Sequence, residues 1–255
     1  MGSFVNMLVF RTMFEKQIPR NNNQETNRKR SFCDFCGKQL NWWNNVPVLS
    51  FLFQKGKSQC CHKKLDVSYP IVEIITGLLF LLNFQFSIFN FQSIFNFEFL
   101  ILNLITVLVI YSAVYDAKTM YLPDWSTYTL IFLAIIYQII GRPVGPPMLY
   151  LLNIVYAAIG ASGFLLLLYL ITKGKGMGLG DVYLALFMGL LLGWPKIILA
   201  FYIAFIVGAI WGIILLILKR KKIKSEVPFG PFLLFGTMVV WYFGDKIMYY
   251  VLSIM

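Results

Sequence analysis

From Pro70 onward the chain is a succession of apolar runs separated by short polar connections, at about 71–89, 97–115, 126–141, 148–172, 181–194, 196–218 and 229–250. A helix rises about 1.5 Å per residue and needs about 20 apolar residues to cross a hydrocarbon core of about 30 Å. Most of the runs approach or exceed that length. The 126–141 and 181–194 runs fall short, so they are expected either to tilt in thin, protein-lined regions or to end in polar cavities. Inside the runs nearly every position is apolar, so periodicity marks no face, and no internal repeat emerges. The pattern predicts an all-α, polytopic membrane helical bundle of about seven spans occupying residues 70–255.

Before Pro70 the pattern is different. Gly2 to Phe10 is apolar but covers only about half of a bilayer's core, so it is either a short interfacial piece or a truncated helix, and we read residues 1–10 as the remnant of a truncated first membrane helix. Residues 11–69 are polar and basic, with Arg28-Lys29-Arg30 ahead of four cysteines. This stretch is expected to form a small loop domain outside the bilayer. The N-terminus lacks the basic region and small-residue cleavage site of a removable signal peptide.

Composition strengthens the membrane reading. Of the 255 residues 59% are hydrophobic and 13% charged, whereas soluble domains are nearer 45–50% apolar with about a quarter charged. A formal charge of +11 invites a nucleic-acid reading, but the cations are clustered in loops, where they set orientation instead. With 11–69 in the cytoplasm, all of the 22 Lys and Arg residues except Arg142, Lys196 and Lys246 fall on that side, as the positive-inside rule requires. The partner implied by this charge pattern is a lipid bilayer, not nucleic acid. One consequence is chemical: the 97–115 run then travels inward and the 181–194 run outward, so Asp116 and Asp181 emerge at the same cytoplasmic face.

An acid at the edge of hydrocarbon is costly without a partner or a function. Two such acids at one depth suit aspartic-protease chemistry, in which an ionised carboxylate takes a proton from water while its protonated neighbour polarises the scissile carbonyl. Proteolysis of this kind needs no cofactor. Asp181 opens a helix and Asp116 closes one, so the helix dipoles place the shared proton on Asp116. Gly174, Gly176, Gly178 and Gly180 make a loop without Cβ atoms that lets another backbone approach closely; a plain glycine-rich turn with Asp181 as an N-cap is the bland alternative. Paired intramembrane acids also serve proton-coupled transporters. That rival predicts altered flux, with cleavage intact, when Asp116 becomes Asn.

Cys33, Cys36, Cys60 and Cys61 lie in one short segment, a pattern that fits a metal site better than a disulfide framework. Zinc takes four N or S ligands; Cys33, Cys36 and Cys61 offer three, with Cys60 or His62 as the fourth.

Several ordered motifs resemble the type IV prepilin peptidases, aspartyl proteases of the GxGD class. Cys33-Asp34-Phe35-Cys36, Trp42-Trp43-Asn44-Asn45-Val46-Pro47 and Tyr69-Pro70-Ile71-Val72-Glu73 resemble that family's cytoplasmic domain and its junction with the next helix. Asp116 followed by Leu122-Pro123-Asp124 resembles the first catalytic motif, and Gly176-Met177-Gly178-Leu179-Gly180-Asp181-Val182 the second. Val227-Pro228-Phe229-Gly230-Pro231 resembles the start of the last helix.

The resemblance implies a multi-pass enzyme of a bacterial-type inner membrane that removes the basic leader from type IV prepilin or pseudopilin precursors. It also implies that the new N-terminus is methylated with S-adenosylmethionine; a peptidase without methyltransferase activity is the alternative. Two positions depart from the family pattern: Ser58 stands where a second CxxC pair would begin, and Tyr183 where a lysine is usual. Asp124 is read as a turn or cap residue outside the catalytic pair. Glu73 is read as a structural bond, an interfacial acid or a functional contact, Trp42 and Trp43 as interface aromatics, and the basic 219–222 stretch as lipid-facing.

Overall fold

The computed structural model describes residues 2–14, 33, 35–36, 39–41, 43, 46–91, 97–140, 147–174, 176–218 and 227–254. Asp34, Trp42, Asn44, Asn45, Arg142, Lys175 and the basic stretches 28–30 and 219–224 lie outside them. The described residues are all-α, with no strand among them; an isolated antiparallel bridge pairs Lys57 with Lys64. By contacts the chain divides into two compact units, Met1–Leu81 and Leu82–Met255.

The first unit holds α1 (Gly2–Phe14), the short α2 (Leu49–Phe53) and the start of α3 (Ser68–Phe91). Val5 and Val9 of α1 are buried, and Asn6 Nδ2 donates to the Tyr69 carbonyl at 3.1 Å. The Val48 N–H, which would otherwise be unpaired ahead of α2, donates to Glu73 Oε2 at 2.8 Å. Of the roles open to Glu73 in the sequence, a structural bond is the one observed. Past α2 the chain turns back on itself, with Ser58 N–H donating to the Lys63 carbonyl and Leu65 N–H to that of Gly56, each at 2.8 Å.

In the second unit, α4 (Phe97–Thr119), α5 (Asp124–Ile140), α6 (Pro147–Thr172), α7 (Leu179–Leu192), α8 (Lys196–Ile217) and α9 (Gly230–Ile254) follow in order. With α3 they coincide with the seven apolar runs. Among the described residues, four segments are long and apolar enough to cross a membrane: Ser68–Gln85, Phe97–Thr119, Met148–Thr172 and Lys196–Ile217. The shorter apolar helices include α5 and α7. Together these describe a multi-pass membrane protein.

Short as it is, α7 is the helix most enclosed by others. It packs on α5, α6, α8 and α9, and Leu184, Ala185, Phe187 and Met188 are inaccessible. Close approach is bought with small residues: a Cβ on Gly189 would strike the Ala158 backbone of α6, and one on Gly236 of α9 would lie 2.5 Å from the Ala200 carbonyl of α8. Such small-residue seams let membrane helices gain dispersion where water supplies no drive.

Helix ends inside a bilayer leave carbonyls that no water satisfies. Here α7 is sealed by neighbouring side chains. Gln138 Nε2 donates to the Leu190 and Leu191 carbonyls at 2.6 and 3.0 Å, and Tyr150 Oη donates to Gln138 Oε1 at 2.6 Å. Asn153 then holds the N–H and the carbonyl of Trp194. These polar partners explain how so short a helix ends among apolar neighbours.

Candidate active site

The site is assembled where four chain segments of the second unit converge: the end of α4, the α4–α5 turn, and the starts of α7 and α9. α4 continues past its hydrophobic run through Asp116-Ala117-Lys118-Thr119, and Thr119 Oγ1 bonds back to the Tyr115 carbonyl at 2.8 Å. Met120, in the left-handed region at φ 55°, then ends the helix. Asp116 therefore sits in the last turn and not beyond it. Its side chain is buried, and Oδ2 has no hydrogen-bond partner.

Asp181 lies three residues into α7 and is likewise buried. The N-cap is Gly178, with φ −84° and ψ 157°. The Gly178 N–H donates to Asp181 Oδ2 at 3.1 Å, the reach-back that an N3 carboxylate makes in a capping box. Asp181 is thus not the N-cap of the bland reading, although it does brace the first turn. Its carboxylate lies within electrostatic reach of Asp116.

Two glycines and one leucine shape the space between them. A Cβ placed on Gly180 would lie 3.1 Å from Leu122 Cδ1. A Cβ on Gly230 would lie 2.5 Å from Asp116 Oδ2 and 3.4 Å from Leu122 Cδ1. The backbone N–H of Gly230 approaches the Asp116 carboxyl group without reaching Oδ2 in a regular hydrogen bond. Leu122 is buried and so forms a common wall. The motif order brought Leu122 and Gly230 into view in the sequence, but only the packing of the α4–α5 turn against α9 shows what they touch.

Behind the acids, Ser112, one turn before Asp116, donates to Ser126 Oγ at 3.1 Å, and Ser126 donates to the Pro123 carbonyl at 2.9 Å. These bonds tie the turn carrying Leu122 to α4. Asp124 is exposed and accepts from Tyr121 Oη at 3.1 Å, a turn role. Tyr183 stacks edge-on against Tyr128, with ring centroids 5.6 Å apart.

In the first unit the thiol sulfurs of Cys33, Cys36, Cys60 and Cys61 all lie within 4.8 Å of one another. Cys33 and Cys61 are 3.8 Å apart and Cys36 and Cys60 3.1 Å. Tetrahedral zinc with Zn–S near 2.3 Å places its sulfurs about 3.8 Å apart, which is the Cys33–Cys61 separation, and the gathered four-thiol donor set fits that ion. His62, the other candidate fourth ligand, is exposed and not among the four. Adjacent Cys60 and Cys61 both point inward because the turn closes tightly, with His62 N–H bonded to the Ser58 carbonyl at 2.8 Å and His62 at φ 55°. Ser58 is buried with its Oγ 3.2 Å from both Cys33 and Cys60 Sγ. Burial raises the Cys33 thiol pKa, but Ser58, the Phe35 and Cys36 N–H groups and Cys60 outweigh it and bring it down to about 6 from 9.0.

Residues 1–86 match the Bacterial Peptidase A24 N-terminal domain, and residues 103–213 match the Type IV leader peptidase family. A Bacillus subtilis (strain 168) protein named prepilin leader peptidase/N-methyltransferase is 30% identical over 86% of the chain and 83% of its own length. The chain belongs to the type IV leader peptidase family. Relatives of the same name from Legionella pneumophila and Aeromonas salmonicida (strain A449) are 31% and 28% identical, over 86% and 99% of this family member and 74% and 90% of their own lengths. No solved structure matches it significantly.

Proposed function

We propose that this peptidase-family chain is a membrane aspartyl endopeptidase that removes the leader from type IV prepilin-like or pseudopilin-like precursors at the cytoplasmic face of a bacterial-type inner membrane, with Asp116 and Asp181 as its catalytic pair. One observation carries the reading: Asp116 Oδ2, buried and unpartnered against side-chain-free Gly230, lies within electrostatic reach of a second buried acid 65 residues later in the chain. A structural carboxylate would have its lone pairs satisfied, as buried polar groups generally do.

In this mechanism Asp181 is the ionised partner. The Gly178 N–H and the start of α7 both favour the anion there. Asp116 holds the proton and presents it to the scissile carbonyl oxygen. Water loses a proton to Asp181 as its oxygen bonds to the carbonyl carbon, and the carbonyl oxygen takes the Asp116 proton. The C–N bond then breaks, with the amine leaving on the proton held by Asp181, and the gem-diol returns a proton to Asp116. Gly180 and Gly230 let Leu122 and the Asp116 carboxyl group pack directly against the backbone at the starts of α7 and α9, which sets the acids' positions.

Zinc held by Cys33, Cys36, Cys60 and Cys61 would supply a structural cross-link in the first unit and takes no part in the cleavage step. The methyl transfer that the relatives' names include would draw on S-adenosylmethionine; no described residue is assigned to it, and no step of cleavage passes through it. The test incubates the purified protein with a synthetic prepilin-like precursor and S-adenosylmethionine and weighs the products. A product shortened by the leader supports the peptidase, and a further gain of one methyl group the bifunctional enzyme. An intact precursor under conditions where a relative cleaves it contradicts the proposal.

A further inference from the structure

α2 carries three large apolar side chains into the open: Leu49 is 52% exposed, Leu52 64% and Phe53 82%. Its place along α3 is fixed by a hydrogen bond. Val48, the residue before α2, donates its N–H to Glu73 Oε2 at 2.8 Å, and Glu73 lies five residues inside the candidate span that starts at Ser68. On α3 the residues turned outward, Ile71, Ile74, Ile75 and Leu78, recur at helical spacing and mark the face given to hydrocarbon. Even with the Glu73 side chain leaning one turn back toward the helix start, Val48 is level with the beginning of that stripe. α2 therefore lies at the depth where headgroups meet acyl chains, not in the water beyond.

The residues around it match that position. Lys55, Lys57, Lys63 and Lys64 are all exposed, and no acidic residue occurs from 48 to 65. Gly56, at φ +68°, packs its backbone against the Phe51 ring, which fixes the turn between the apolar helix and the lysines. Apolar side chains beside exposed lysines, of which Lys63 also lies over the Phe35 ring at 5.4 Å from its centroid, are the chemistry of an anionic lipid surface. The same lysines would repel a precursor with a basic leader.

We infer that α2 and the 54–64 hairpin form a membrane-seated foot, with Leu49, Leu52 and Phe53 inserted among acyl chains and the four lysines bound to anionic phospholipid headgroups. The foot fastens the cysteine cluster to the membrane surface, because Cys60 and Cys61 sit at the tip of the same hairpin.

The experiment reconstitutes the full chain in vesicles of phosphatidylglycerol and phosphatidylcholine containing a phospholipid with a photoactivatable diazirine in its acyl chain. After irradiation and digestion, adducts are mapped by mass spectrometry, with peptides covering α3 as the internal control. The expected result is lipid adducts on the peptide holding Leu49–Phe53, lost at least tenfold in the Leu52→Ser, Phe53→Ser double variant while α3 labelling persists. Several-fold weaker labelling is expected in pure phosphatidylcholine. Labelling of α3 without any on α2 overturns the inference. Equal labelling in both vesicle types overturns the assignment to anionic lipid, and displacement of the adduct by excess synthetic precursor shows a protein-binding surface in its place.

Discussion

Gly230 and Gly180 differ in what a methyl group would meet. A Cβ 2.5 Å from Asp116 Oδ2 has no room unless the carboxyl group or the start of α9 moves, and catalysis is sensitive to shifts of that size. Gly230→Ala is expected to lower precursor cleavage at least about tenfold, near 1.4 kcal/mol in the barrier, with thermal unfolding nearly unchanged. At Gly180 the nearest atoms are Leu122 Cβ at 3.0 Å and Cδ1 at 3.1 Å, a milder approach, so Gly180→Ala should cost less, and Leu122→Ala, which keeps the Cβ but removes Cδ1, should restore part of the loss. Measured cleavage rates of the two single variants and the Gly180→Ala, Leu122→Ala pair decide this; additive losses would show that the two residues do not share a wall. Neither contact is legible in the sequence. Glycines announce freedom of the backbone, while the residue that fills the space comes from another helix.

The short helix α7 shows why apolar runs predict the presence of elements better than their roles. A run of 14 residues reads as a poor span, and nothing in its own sequence reveals that its last carbonyls are met by Gln138, 52 residues earlier in the chain. Gln138→Leu removes bonds to two carbonyls and leaves Tyr150 Oη without its acceptor. The expected loss is about 1–2 kcal/mol, seen as a fall of about 2–8 °C in the detergent-solubilised protein's midpoint of unfolding. Tyr150→Phe should cost less, since it leaves both carbonyls paired. An unchanged midpoint in Gln138→Leu would mean that α7 is not held at this end. The seven helices themselves were plain from the apolar runs, because membrane-length hydrophobic stretches have few other uses. Their ends were not, because caps and extensions such as Thr119 with the Tyr115 carbonyl depend on local bonds that hydropathy ignores.

At the scale of the molecule, the fold gathers residues far apart in sequence at helix ends. The Asp116 turn, the Gly178–Asp181 cap and Gly230 come from α4, α7 and α9, and the packing of α4 on α9 and of α7 on α9 brings them together. Charge asymmetry and helix direction already placed the two acids on one face in the sequence reading. Their burial and the unpaired Oδ2 required the structure. The cysteine segment was legible as a candidate metal site, but choosing Cys60 over His62 depended on a tight turn at Ser58–His62 that spacing does not reveal. The central claim is that Asp116 and Asp181 form one catalytic unit. The most direct measurement is the rate of precursor cleavage by purified Asp116→Asn, Asp181→Asn and the double variant, each shown to be folded by thermal unfolding. Each single change is expected to abolish cleavage to at least about a thousandfold below wild type, with the double variant no worse, because residues that act as a unit fail together. Cleavage that survives either single substitution at near wild-type rate would contradict the account.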